Sequence, residues 1–245
     1  MSSDYATAVR TGAMAAGRLH RQLESRALVE QHGGCVDVFG AIHAVDLPLL
    51  LRPLKGLLGA YLSDPIPGVL VTTERPMSIQ RFTGAHELGH FSLKHRPSLD
   101  DESILRRMPM APEIDNDFQE TEADAFAIGF MMPKWMILSH CARQAWQVQD
   151  LERAHVAYQL SLRIGASYEA TCRTLLRYSL ITASTLQSLL DIQPRVLKVD
   201  LLKDYRPADY RGDVWLLSKH DAGTRIDGSR HDLFVLRLTE HSGGG

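Results

Sequence analysis

Arg81-Phe82-Thr83-Gly84-Ala85-His86-Glu87-Leu88-Gly89-His90 decides how the rest of the chain is read. His86 and His90 stand four residues apart, and Glu87 directly follows the first of them. Phe82, Ala85, Leu88 and Leu93 recur at helical spacing, and Pro76 suits the first turn of the helix they predict. Four residues turn a helix by about 400°, so the two imidazoles leave one face about 40° apart and can grip one ion. Glu87 stands beside that face, where a carboxylate reaches an attacking water without ligating the ion. Two surface histidines on an ordinary helix would give the same five letters, so a third ligand has to be found.

A catalytic zinc takes three protein ligands and keeps one position open. His95 is one candidate, but the pattern H-E-x-x-H-x-x-G-x-x-H wants its third histidine one residue later and a glycine where Leu93 stands. A better candidate lies in Glu120-Thr-Glu122-Ala-Asp124-Ala-Phe-Ala127, on a second helix that ends at Met132-Pro133. Glu120 and Asp124 share one face of it. That pairing suits a glutamate ligand with an aspartate one turn on, the aspartate bonding the far nitrogen of a ligand histidine. Glu122 points about 200° away from Glu120 and reads as solvated, although a shift of helix register would exchange the two. The residues alone therefore offer His86 and His90 with Glu120, or with Glu122 in a shifted register, as ligands of a Zn2+ ion, with Asp124 one turn after Glu120 and Glu87 beside the attacking water.

Outward from the motifs, residues 6–29 carry apolar residues at three- and four-residue spacing and predict one long helix, ended by Gly33-Gly34. Asp37 is placed to cap a short helix that stops before Leu47-Pro48. Residues 47–51, 56–62 and 68–73 are short apolar runs punctuated by Pro53, Asp64-Pro65 and Pro67-Gly68, which predicts a small antiparallel sheet. A polar, proline-containing connection over residues 96–116 joins the two motif helices. Helical segments follow over residues 133–191, and residues 196–202, 214–218 and 233–239 read as strands. The fold class is α+β in three parts. Residues 1–133 form a metallopeptidase domain, 134–193 a helical part, and 194–245 a β segment. Its final strand has no closing partner before Ser-Gly-Gly-Gly, which reads as a truncated end.

Composition narrows the function classes. The chain has 245 residues, 44% hydrophobic and 23% charged, with a formal net charge of −2. A chain of this length buries roughly 73% of its open-chain surface on folding, enough for a core without staples. Disordered, collagen-like and low-complexity classes are excluded. The small negative charge argues against strong non-specific nucleic-acid binding by the whole chain. The densest apolar stretch, residues 123–132, carries Asp124 and is too short to span a membrane. The N-terminus has neither a basic nor an apolar leader region. Cys35, Cys141 and Cys172 lie far apart with no C-x-x-C, as expected of reduced thiols in a cytoplasmic protein.

The two motifs together resemble the ImmA/IrrE-type metallopeptidases. The resemblance rests on residues 81–90 followed by Leu93 and His95, and on residues 120–127 running into Met131-Met132-Pro133. Val36-Asp37-Val38 and the strands before the motif add to it, and it covers roughly residues 5–190. It implies a gluzincin-like site with zinc on His86, His90 and Glu120 and Glu87 as general base. It also implies a cytoplasmic protease that cuts a helix-turn-helix repressor after DNA damage or during mobile-element induction. Residues 157–181 look like the helix-turn-helix-like module that trails the catalytic unit, with Ser167 as N-cap after Gly165. Arg163, Arg173 and Arg177 are few, so plain helix packing without DNA contact stands beside that reading. Residues 194–245 are not typical of compact members. His140, His155 and Tyr158 are candidates for the group that polarises the peptide carbonyl. Two rival functions use the same residues: a regulatory protein- or DNA-binding module that zinc merely stabilises, and a protease effector of a toxin–antitoxin or phage-defence system.

Overall fold

The computed structural model describes residues 3–101 and 118–236. The chain divides into two compact units, Met1–Gln31 with Cys35–Pro133, and His32–Gly34 with Lys134–Gly245. No helix among the described residues is long and apolar enough to cross a membrane. The predicted connection over residues 96–116 lies mostly outside the described residues.

The first unit begins with α1 (Ser3–Gln22) and α2 (Ser25–His32), where the sequence predicts one helix. Glu24 adopts the left-handed conformation, φ 51°, and ends the hydrogen-bond ladder. The apolar spacing continues across that break, so periodicity alone does not reveal it. Asp37 caps α3 (Val38–Ala44) as predicted, its Oδ1 accepting from the Gly40 N–H at 2.9 Å. Next come β1 (Leu49–Arg52), β2 (Leu57–Leu62), β3 (Gly68–Thr72), α4 (Met77–Leu93) and β4 (Ser98–Asp101). The sheet has the order β1-β3-β2-β4 and is mixed, which corrects the antiparallel expectation. β2 pairs antiparallel with both β3 and β4, whereas β1 runs parallel to β3 with Leu49 opposite Val69. Strand order is the cause: β3 returns between β1 and β2, so the two consecutive strands β1 and β2 never pair.

α5 (Gln119–Met131) packs against both α1 and α4. Small residues permit the close crossings. A Cβ on Gly89 would lie 3.1 Å from Phe126 Cβ and 3.2 Å from Ala123 Cα, and one on Gly12 would lie 2.1 Å from the Glu122 carbonyl oxygen. Around these crossings Ala16, Ala85, Leu88, Ala123, Phe126 and Phe130 are buried, and they form the core that joins the two motif helices. Gly12→Ala therefore sets two effects against each other. Helix propensity favours alanine by about 1 kcal/mol, while forcing α1 off α5 costs about 1–3 kcal/mol. The expected result is a lower melting temperature of the full chain; a midpoint at or above wild type would overturn this account of the crossing.

The second unit contains α6 (Lys134–Gln144), a 3₁₀ turn (Val148–Glu152), α7 (Ala154–Ile164), α8 (Tyr168–Arg177), α9 (Ala183–Leu190), α10 (Pro194–Leu202), β5 (Val214–Leu217) and β6 (Leu233–Leu236). Gly165 ends α7 at φ 70°, and Ser167 caps α8 by accepting from the Ala170 N–H at 3.2 Å. Residues 196–202, predicted as a strand, belong to α10. Pro194 sits in its first turn, and Leu197 and Leu201 bury one turn apart. Val196-Leu-Lys-Val-Asp-Leu-Leu202 satisfies both the two-residue and the helical period, and packing selects the helical one. β5 and β6 pair in parallel, Val214 opposite Leu233. The Gln159 side chain serves β5 as a neighbouring strand would, donating to the Val214 carbonyl and accepting from the Leu216 N–H, both at 2.8 Å. The predicted strand residues beyond Leu236 lie outside the described residues.

The second unit buries an ion pair and a histidine. Arg163 donates to Asp221 Oδ1 at 2.8 Å, with both side chains under 10% exposed. His140 is buried and donates through Nε2 to the Gly34 carbonyl at 2.8 Å. Burial, reinforced by the charges of Arg163 and Arg143, lowers its pKa from 6.5 to about 4. The folded state then holds this ring neutral while the unfolded chain takes up a proton more readily. The resulting stability is complete above about pH 6.5 and disappears as pH falls to about 4, a difference of about 3 kcal/mol. His140→Gln keeps an N–H donor and removes the titration, so urea-midpoint curves for this variant should fall less across that window. Parallel curves for the two proteins would contradict the assignment. Cys35, Cys141 and Cys172 are free thiols, and burial pushes Cys141 up to about 11 and Cys172 to about 12.

Candidate metal centre

α4 lies against β2 and β3 on one side and α5 on another, so every residue from Thr83 to His90 is buried. His86 is 1% exposed, and Glu87 and His90 are fully buried. A helix carrying three such polar side chains into a core must spend them on a common purpose, because buried polar groups without partners are costly.

The geometry supplies that purpose. His86 Nε2 and His90 Nε2 face each other at 3.0 Å. The Glu120 carboxylate closes the cluster, with Oε2 at 3.2 Å from His86 Nε2 and Oε1 at 3.5 Å from His90 Nε2. One donor atom from each of the three lies within 4.8 Å of the others. On its far side His86 Nδ1 is 3.0 Å from Asp124 Oδ1. A carboxylate only accepts, so Nδ1 carries the proton and Nε2 presents its lone pair to the cluster. Two imidazole nitrogens and one carboxylate converging in this way fit a divalent transition metal with an open position. Glu120 is 22% exposed at its side chain, so solvent meets the cluster at that residue.

The sheet holds Glu87 in place. A Cβ on Gly59 of β2 would lie 2.8 Å from Glu87 Oε1 and 2.3 Å from Thr83 Cγ2. Only glycine lets the strand pass this close to the Glu87 carboxylate.

Of the residues singled out from sequence, the fold brings His86, His90, Glu120 and Asp124 together, and Glu87 is buried on the same helix as the two histidines. It places two others differently. His95, considered as a third ligand, puts its Nδ1 3.0 Å from His90 Nδ1, behind the ring and away from the cluster. Glu122, expected to be solvated, puts Oε2 2.8 Å from His95 Nε2. Face arithmetic misses this pair because His95 lies beyond the end of α4. Lys94 takes the left-handed conformation at φ 58°, and the His95 N–H then bonds back to the His90 carbonyl at 2.9 Å. His140, His155 and Tyr158, the candidates for carbonyl polarisation, belong to the second unit and are engaged there. His140 holds Gly34, and His155 lies 3.7 Å from Asp200. Tyr158 donates to Asp213 at 2.9 Å and accepts from the Val214 N–H at 3.0 Å, and burial raises its pKa.

No curated protein matches the chain. A family profile does: residues 52–176, about half of the chain, match Peptidase M78, the IrrE N-terminal-like domain. The matched span holds the sheet strands β2 and β3, the helix with both histidines and the helix with Glu120 and Asp124. By this match the chain belongs to the IrrE N-terminal-like domain family of peptidases.

Proposed function

We propose that the protein is a zinc-dependent endopeptidase that cleaves a protein substrate in the cytoplasm. The observation that carries this reading is the convergence of His86 Nε2, His90 Nε2 and the Glu120 carboxylate, with a buried Glu87 directly following His86 on the same helix. His86, His90 and Glu120 hold the ion, and Asp124 keeps His86 in the ligating tautomer. When bound, zinc supplies Lewis acidity to a water and to the scissile carbonyl. Glu87 takes a proton from the attacking water on a carboxylate oxygen. It then delivers that proton to the leaving amine nitrogen as the C–N bond breaks. Burial of Glu87 beneath β2 excludes competing solvent from the carboxylate that handles this proton.

A helix-turn-helix transcriptional repressor is the substrate class, cut in a stress or mobile-element response. Family membership and the resemblance of both motifs support that choice. The test is a comparison of cells expressing wild type or Glu87→Gln, searched for a protein that is cut only by wild type. A cleaved repressor supports the reading. Identical proteomes at equal expression overturn it in favour of a module that zinc merely stabilises.

A further inference from the structure

We infer that Glu122 and His95 are positioning residues that hold His90 in its ligating tautomer, as Asp124 does for His86. The inference rests on the metal-site reading above and adds a relay to it. The geometry is a line of three side chains: Glu122 Oε2 is 2.8 Å from His95 Nε2, and His95 Nδ1 is 3.0 Å from His90 Nδ1. His90 Nε2 then faces His86 Nε2 and Glu120.

Each neutral imidazole carries one N–H and one lone pair. Glu122 can only accept, so the His95 proton sits on Nε2. His95 Nδ1 is then an acceptor, and the nitrogen 3.0 Å away, His90 Nδ1, must donate. That leaves the lone pair of His90 on Nε2, directed at the cluster. Without Glu122, His95 is free to carry its proton on Nδ1 and donate to His90 Nδ1. The His90 proton would then move to Nε2, into the position where an ion binds.

Three features build the relay into the fold. The left-handed Lys94 and the bond from the His95 N–H to the His90 carbonyl return His95 to the back of His90. The His95 side chain is 6% exposed, so its hydrogen bonds are shielded from water. Glu122 and Asp124 stand two residues apart on α5, and each ends on a different histidine. The acidic residues at 120, 122 and 124 thus divide into one ligand and two anchors.

The experiment is zinc affinity of the folded full chain, measured by competition with a chromophoric chelator, with near-ultraviolet circular dichroism of the metal-free proteins as the folding control. Glu122→Ala and His95→Phe should each weaken zinc binding by about 10–100-fold. Glu122→Gln retains a carbonyl acceptor for His95. His95→Gln offers an oxygen to His90 and an amide donor to Glu122. Both should stay within a few-fold of wild type, a rescue that loss of packing would not produce. The Glu122→Ala/His95→Phe double variant should bind no worse than the weaker single one, since both act through one nitrogen of His90. Unchanged affinity in Glu122→Ala and His95→Phe, a glutamine variant as weak as its apolar counterpart, or additive losses would each overturn the relay. The two positions test it separately, so a variant that fails to fold leaves the other pair decisive. Wild type that binds no zinc would instead overturn the metal-site reading itself.

Discussion

Glu87→Gln should leave the protein folded and metal-loaded while slowing cleavage of its substrate by about 10²–10⁴-fold. The substitution keeps size and shape at a position that is fully buried and pressed beneath Gly59, so the packing of α4 against β2 is retained. It removes the carboxylate that would accept a proton and return it. If Glu87 served only to pack the helix, output would follow stability, and a near-isosteric change would leave the rate almost untouched. Cleavage rate per folded, zinc-loaded chain is therefore the quantity to measure, with metal content determined on the same sample. A wild-type rate from the glutamine variant would refute the general-base role of Glu87.

Glu120→Ala should strip the metal, and far more completely than Glu122→Ala. Glu120 supplies one of the three converging donors among the described residues, and a cluster left with two histidines would lose both charge neutralisation and its closing carboxylate. Glu122 reaches the cluster only through His95 and His90, so its loss loosens the site without opening it. Asp124→Ala, like Glu122→Ala, should weaken binding by about 10–100-fold, because His86 keeps its nitrogen but loses the bond that orients it. Elemental analysis after dialysis against a weak chelator reads out this order. Full metal stoichiometry in Glu120→Ala, or equal losses at positions 120 and 122, would overturn the ligand assignment.

The contrast between these two glutamates separates what a helical wheel can read from what it cannot. Spacing alone placed His86 and His90 on one face, Glu120 with Asp124 on another, and Glu87 beside the first, because those relations are set by 3.6 residues per turn within a single helix. The same arithmetic turned Glu122 toward solvent. It had no means to know that a left-handed Lys94 folds His95 back to meet that carboxylate, since the relation joins residues on two elements through a turn.

The sequence by itself determined the two motif helices, the Asp37 and Ser167 caps, the turn at Gly165 and the α+β class. All of these are local: a cap, a glycine turn or a period needs only neighbouring residues to specify it. The tertiary structure alone decided that β1 would lie parallel to β3, that residues 23–24 would break the first helix and that residues 196–202 would be helical. In each case the local pattern was satisfied by more than one arrangement, and long-range burial made the choice. The candidate metal centre belongs to both. Its residue types are legible in sequence, but their convergence depends on Gly89 and Gly12 letting three helices cross at close range, a relation between residues distant along the chain.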